Sequence, residues 1–230
     1  MGRLTFHGQS CVELQSGDGT RIVIDPFLSD NPVADVGPEH FEERLDYVLL
    51  THGHGDHIGD AWRLLEATGA MLIASYEIVS YAQDVQGVEN AHPMHIGGGF
   101  DFPFGRVKLT PALHGGKIDA PGAEGYTTVP AGLLVELDGR RVYHAGDTAL
   151  LTDMELLAGD VDVALVPIGD NFTMGPEDAG RAIEMIRPEI AVPIHYGTWP
   201  VIEVDPQRFV DAVGGLCEVR VLEPGDSLEL

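Results

Sequence analysis

Residues 51–60 read Thr-His-Gly-His-Gly-Asp-His-Ile-Gly-Asp, directly after the apolar run 47–50 and directly before a helical pattern at 61–67. That placement puts three imidazoles and a carboxylate on one tight turn between a strand and a helix. Imidazole nitrogen binds zinc, iron and related metals well, and carboxylate joins it readily. His52 and His54 alternate along an extended turn, so they can face one ion. Asp56 and His57 stand at the start of the following helix, where they can face a neighbouring ion. Gly53 and Gly55 let the backbone turn sharply and pass close to the metals. One turn cannot complete two coordination spheres, since a catalytic zinc takes about three protein ligands plus water. Further ligands are therefore expected where later strands end.

The rest of the chain has the order to supply them. Strands are predicted at 4–7, 12–14 and 21–24, with a turn at 16–19, then a loop at 25–39. The run 47–50 suits a strand buried on both faces, and 61–67 is a helix stopped by Gly69. Strand 71–74 and helix 76–86 follow. Strands return at 107–110, 133–137 and 141–144, with a Gly- and Pro-rich loop at 115–130 that is either a lid or a mobile surface loop. The last third alternates again: strand 161–166, helix 176–187, strand 190–193, helix 206–213 and strand 219–222. Pro176 opens its helix with Glu177 and Asp178 in the first turn, where acids suit the dipole. The two halves share one plan and no linker divides them. We expect a single α/β domain over 1–230.

His114 follows strand 107–110, Asp147 follows strand 141–144, and His195 follows strand 190–193. Each alone is a weak signal. Three in this order after the first motif change the balance.

The series His-x-His-x-Asp-His, then His, then Gly-Asp-Thr, then His resembles the metallo-β-lactamase superfamily over nearly the whole chain. More narrowly, residues 51–60, 169–175 and 195–200 resemble a small family of bacterial and archaeal metal-dependent hydrolases related to the ascorbate-6-phosphate lactonase branch. The resemblance implies a four-layer αβ/βα sandwich with metals at one edge. It also implies that His52, His54 and His114 hold one metal, that Asp56, His57 and His195 hold a second, and that Asp147 bridges them. Relatives commonly carry Gly-His-Ser in the first hairpin. Here Gln9 stands where that His would be, so either His7 takes its place or the role is lost.

Two such metals, zinc foremost with manganese or iron as alternatives, would share a water and lower its pKa towards neutrality. The expected chemistry is hydrolysis of a small ester, lactone or related acyl compound. A phosphodiesterase acting on a small nucleotide or phospholipid-type substrate is the alternative. Asp56 is expected to orient the hydroxide or carry its proton as well as ligate. Asp25 is a candidate acceptor for the far N–H of a ligand histidine, and Asp60 a candidate cap for helix 61–67. Asn171, Thr173 and Tyr196 are candidate substrate contacts, with Phe172, Met174, Trp199 and Pro200 as apolar walls or core. His40, His92, His95 and His144 are read as structural or surface histidines.

Rival classes fare worse. A flavodiiron-type oxidoreductase resemblance would put Glu at position 54 and needs a flavin domain that 230 residues do not contain. A degenerate, non-catalytic member would have lost ligands. The zinc β-lactamases use Cys where Asp147 stands, and neither Cys11 nor Cys217 fits. The formal net charge of −24 repels phosphate backbones and anionic membranes. It argues for a small-molecule substrate and against long nucleic acid. No run approaches the roughly 18 apolar residues of a membrane span, and the first residues lack a secretory pattern. We expect a cytoplasmic protein with room for a homo-oligomer.

Overall fold

The computed structural model describes residues 2–230. Two seven-stranded mixed sheets carry the chain. In the first, β1 (Arg3–Phe6), β2 (Val12–Gln15) and β3 (Arg21–Ile24) form an antiparallel meander. Beside β3 run β4 (Tyr47–Leu49), β5 (Met71–Ser75) and β6 (Ala91–Met94), each parallel to its neighbour. The second sheet repeats the plan. β7 (Gly99–Phe102), β8 (Gly105–Pro111), β9 (Ala131–Leu137) and β10 (Arg140–His144) are antiparallel. β11 (Val163–Pro167), β12 (Ile190–Ile194) and β13 (Glu218–Val219) continue in parallel. β14 (Ser227–Glu229) then returns to pair with β1.

Three apolar layers explain the architecture. Leu14, Ile22, Ile24 and Leu49 of the first sheet meet Leu109, Leu133, Val135 and Leu165 of the second, and all are fully buried. On the outer face of the first sheet, Val23, Val48 and Leu72 pack against α1 (Glu39–Glu42), α3 (Ala61–Thr68) and α4 (Tyr76–Asp84). On the outer face of the second, Ala164, Val166 and Ala191 pack against α5 (Pro176–Ile186) and α6 (Gln207–Val213). The order helix, sheet, sheet, helix is the αβ/βα sandwich. In β11 every residue is buried, as expected of a parallel strand covered on both faces. In α5, Ala179, Ala182, Ile183 and Ile186 are buried at the spacing of one helical face.

Several sequence expectations need correction, and most concern sheet edges. β6, β7 and β14 were not foreseen, and strand 219–222 shrinks to the two residues of β13. These four are the outer strands of the two sheets. Residues 25–39 do form a loop, but it is followed by the one-turn α1. Asp60 precedes α3 yet makes no side-chain cap. Its carboxylate instead accepts the backbone N–H groups of Leu28 and Ser29 at 3.2 and 2.8 Å and the Ser29 hydroxyl at 2.6 Å, tying the loop after β3 to the helix.

The 115–130 loop is pinned rather than free. Asp119 N–H donates to the Gly53 carbonyl at 2.8 Å, Thr128 N–H to Gly116 at 2.6 Å, and Tyr81 Oη to Pro121 at 2.7 Å. Ile118 is buried against the α3–α4 layer. This gives Gly53 a different purpose from the one expected: a Cβ there would stand 2.6 Å from the Lys117 carbonyl oxygen. Its bare Cα seats the loop rather than the metals.

Candidate metal centre

The side chains expected to hold metal converge because all of them leave the same edge of the two sheets. Asp25 follows β3 and Thr51 to His57 follow β4, with Asp56 and His57 in the one-turn helix α2 (Gly55–Ile58). His114 follows β8, Asp147 follows β10 and His195 follows β12. In mixed α/β sheets the crevice at the carboxyl ends of the strands is where ligands bind. The ligating atoms of His52, His54 and His114 lie within 4.8 Å of one another, and so do those of Asp56, His57 and His195. Asp147 lies between the groups: its Oδ1 is 3.2 Å from His57 Nε2, and its Oδ2 is 3.1 Å from His195 Nε2 and 3.4 Å from His114 Nε2.

Hydrogen bonds behind the cluster orient the rings. Asp25, fully buried, accepts His57 Nδ1–H at 2.7 Å, Thr51 N–H at 2.8 Å and the Thr51 hydroxyl at 2.6 Å. With Nδ1–H held by Asp25, His57 turns Nε2 towards Asp147. Burial opposes protonation of the ring, but Asp147, Asp25 and Asp56 outweigh it and raise its pKa well above 6.5, and a metal bound there would take the place of the Nε2 proton. Thr51 Oγ1 stands 3.0 Å from His52 Nδ1 and, having given its own proton to Asp25, accepts there. That leaves His52 Nε2 as a lone pair facing His54 Nδ1 at 3.0 Å, with His114 Nε2 at 3.2 Å from the same atom. A carboxylate or hydroxyl fixing the tautomer of a ligating histidine is the usual support of a metal site. The sequence reading missed Thr51, although its place directly before His52 was visible.

His144 supplies another support. Its Nε2–H donates to the Ser10 carbonyl at 2.9 Å, and its Nδ1 accepts Gly146 N–H at 3.1 Å. This neutral ring joins the first hairpin to the turn that presents Asp147. Burial lowers its pKa, consistent with both contacts.

The residues fit metal ligation. His57 Nε2, His195 Nε2 and Asp147 Oδ1 are buried polar atoms without a hydrogen-bond partner, with Oδ1 3.2 Å from His57 Nε2, and His57 and His195 share one group with Asp56. Buried polar atoms are normally satisfied, so this convergence of unpaired donors suits cations. Burial lowers the pKa of His52 and His114, favouring the neutral, ligating form. For His195, burial opposes protonation, but Asp147 and Asp56 outweigh it and raise the pKa to about 9. Asp147 stays ionised: burial pushes its pKa up, and His57 and His195 bring it well below the carboxylate range.

In front of the cluster is an open cavity of about 320 Å³. Its floor holds His54, Asp56, His114, Asp147 and His195, and its walls are Asp119, Phe172 and Trp199. The expected substrate contacts are placed differently. Asn171 and Thr173 flank Phe172 without lining the cavity, and the Thr173 hydroxyl donates to the Met174 carbonyl. Tyr196 lines a separate hollow with Phe6, Val33 and Leu222. The chain turns at His195 (φ 56°), so successive side chains point to different sides. Met174 is core, while Phe172 is 55% exposed at the rim. A larger hollow of about 690 Å³ lies by Trp62 and Glu66, remote from the imidazoles.

The first hairpin also departs from expectation. His7 does not enter the site: its Nδ1 is 2.8 Å from Asp35 and its Nε2 3.4 Å from Glu13. Gln9 reaches the site instead, donating from Nε2 to Asp56 Oδ2 at 2.9 Å.

Fold and site together define a metallohydrolase of the β-lactamase type, and the comparisons agree. The family model described as a β-lactamase superfamily domain matches residues 20–196. A UPF0173 metal-dependent hydrolase of Enterococcus faecalis is 48% identical over 228 residues, covering 98% of each chain. Another from Anoxybacillus flavithermus is 48% identical over 231 residues, covering 99% of this chain and all of that one. Among solved structures, Igni18, a metallo hydrolase of the archaeon Ignicoccus hospitalis, superposes with a TM-score of 0.86 at 36% identity, over 100% of this chain and 99% of that one. The chain belongs to the metallo-β-lactamase superfamily and, within it, to the UPF0173 metal-dependent hydrolases. Among the described residues, no helix is long and apolar enough to cross a membrane.

Proposed function

We propose that this metal-dependent hydrolase works with two divalent cations and cleaves a small ester, lactone or related acyl compound. The observation that carries the reading is the pair of ligand groups, His52–His54–His114 and Asp56–His57–His195, with Asp147 between them: Oδ1 beside His57, and Oδ2 beside both His195 and His114. Five imidazoles favour zinc, with manganese and iron as substitutes set by supply. A bound pair would supply Lewis acidity and a water acidified towards neutrality.

The chain's own groups do the rest. Asp56 is partly exposed at the cavity floor, with Oδ2 3.3 Å from His195 Nε2. Burial raises its pKa, but His57 and His195 bring it far below the carboxylate range. It therefore enters the reaction as an anion, able to orient the attacking water and receive its proton. Asp147 holds the two ligand groups in register, and Asp25 and Thr51 hold His57 and His52.

The test is elemental analysis on protein purified without chelator or metal-binding tag, followed by a screen of esters, lactones and phosphodiesters with each metal. About two metals per chain and turnover of acyl compounds support the reading. One metal per chain at full activity, or turnover confined to phosphodiesters, overturns it.

A further inference from the structure

The cavity walls bear on which acyl compounds could enter. We propose that this site selects an uncharged substrate carrying a flat apolar group, which Phe172 and Trp199 hold, while Asp119 discriminates against anions. The inference rests on the acyl-hydrolase reading of the same site and deepens it.

Phe172 is the first observation. An exposed phenyl ring gains little from folding, yet this one stands at the cavity rim on a turn with Asp170 at φ 59° and Asn171 at φ 30°. Asp and Asn tolerate that left-handed region better than other non-glycine residues, so the turn keeps this shape at little cost. The turn is fastened on both sides. Asp170 N–H donates to the Met174 carbonyl at 3.0 Å, and Met174 N–H to Thr148, one residue beyond Asp147, at 3.0 Å. The Phe172 ring is thus referenced to the turn that presents Asp147. The other aromatic wall is also fixed: the Trp199 ring lies 5.9 Å from that of Phe27, and the neighbouring Thr198 hydroxyl bonds to Gln9. Two aromatic walls in about 320 Å³ suit a small flat group.

Charge is the second observation. Among the described residues, neither lysine nor arginine lines the cavity. The neighbouring Lys117 is turned to Asp119, Nζ to Oδ1 at 2.5 Å, and is otherwise in solvent. Asp56 and Asp147 would offset half of the charge that two divalent cations bring, and Asp119, although paired with Lys117, keeps its carboxylate on the wall. An anionic group on the substrate would thus find no free cation on the walls and would face the Asp119 carboxylate. The chain's formal charge of −24 disfavours anions at longer range as well.

Binding and turnover are tested separately. Trp62 and Trp199 are the two tryptophans, so Trp62→Phe leaves Trp199 as the reporter. The metal-loaded variant is titrated with neutral 4-nitrobenzamide and with anionic 4-nitrobenzenesulfonate, both quenchers. The amide should bind at least about tenfold more tightly, a difference of about 1.4 kcal/mol. Adding Phe172→Ala should weaken the amide about tenfold. Adding Asp119→Asn should leave the amide unchanged and bring the sulfonate to within about threefold of it. In kinetics, 4-nitrophenyl benzoate should exceed 4-nitrophenyl hydrogen succinate in kcat/KM by about tenfold or more, and Asp119→Asn should narrow that gap. Equal binding of the two quenchers, or a Phe172→Ala variant that binds the amide as before, overturns the inference even if esters are hydrolysed. Selective quenching without turnover of any ester or lactone upholds the binding inference and overturns the acyl-hydrolase reading instead.

Discussion

Gln9 Nε2 donates to Asp56 Oδ2 at 2.9 Å, while Gln9 Oε1 accepts the Thr198 hydroxyl and its backbone carbonyl accepts His195 N–H at 2.7 Å. One residue of the first hairpin thereby joins a carboxylate after β4 to an imidazole after β12. Gln9 is 1% exposed and sits at φ 55°, so its backbone is held in the left-handed region by these contacts.

The consequence is a positioning role for Gln9. Gln9→Ala should lower kcat and metal affinity by about 10- to 100-fold, the usual effect of removing a partner behind a metal ligand. Gln9→Glu should be worse than Gln9→Ala, because it sets a carboxylate against Asp56. Metal titration and kcat on both variants check this. A Gln9→Glu protein with wild-type occupancy and rate would show that the amide does not orient Asp56.

Asp147 lies beside both candidate ligand groups, within 3.4 Å of His57, His195 and His114. Asp147→Ala should abolish activity and lower metal content towards one per chain or fewer, since the two sides lose their shared carboxylate. Elemental analysis beside an activity assay decides it. Retention of both metals and of turnover would remove the bridging role.

Asp25→Ala leaves His57 Nδ1–H, Thr51 N–H and the Thr51 hydroxyl without their buried acceptor. Loss of hydrogen bonds at a buried site costs about 1–3 kcal/mol for each group left unpaired. We expect destabilisation of at least about 2 kcal/mol in urea. Metal affinity should also fall about 10- to 100-fold. Unchanged metal affinity would mean that His57 keeps its tautomer without Asp25.

What was legible in the sequence follows from physical causes. The candidate ligands are local or strand-terminal: residues 51–57 sit on one turn, and His114, Asp147 and His195 each follow a strand whose place the sequence indicates. The four outer strands were missed or misplaced because one side of each lacks a paired neighbour. β7 is largely exposed along its length, and β6 carries Pro93, which an edge tolerates. The walls of the cavity were the other loss. Asp119 comes from a loop whose seat on Gly53 is a contact between distant segments, and the turn at His195 sends Tyr196 away from the site. Neither periodicity nor spacing encodes such contacts.

His7 sits outside the metal centre, so His7→Gln should leave metal content and kcat unchanged while altering how stability depends on pH. Burial opposes its protonation, but Glu13 and Asp35 outweigh it and raise its pKa above 6.5. The same cluster depresses Glu13: burial pushes its pKa up, and hydrogen bonds from His7, Arg21 and His40 bring it far below 4.5. A raised histidine contributes stability that is complete below its unfolded pKa and is lost as pH rises through the folded value. A depressed carboxylate contributes above its unfolded pKa and loses that contribution as pH falls through its folded value. The cluster is therefore strongest between pH 4.5 and 6.5, and the His7 share fades above that window. Urea unfolding of both proteins from pH 6 to about 9 should show a difference on the order of 1 kcal/mol at the acid end. That difference should shrink as pH rises. A difference that stays constant across the range would assign His7 a packing role only, and a loss of metal in His7→Gln would return it to the centre.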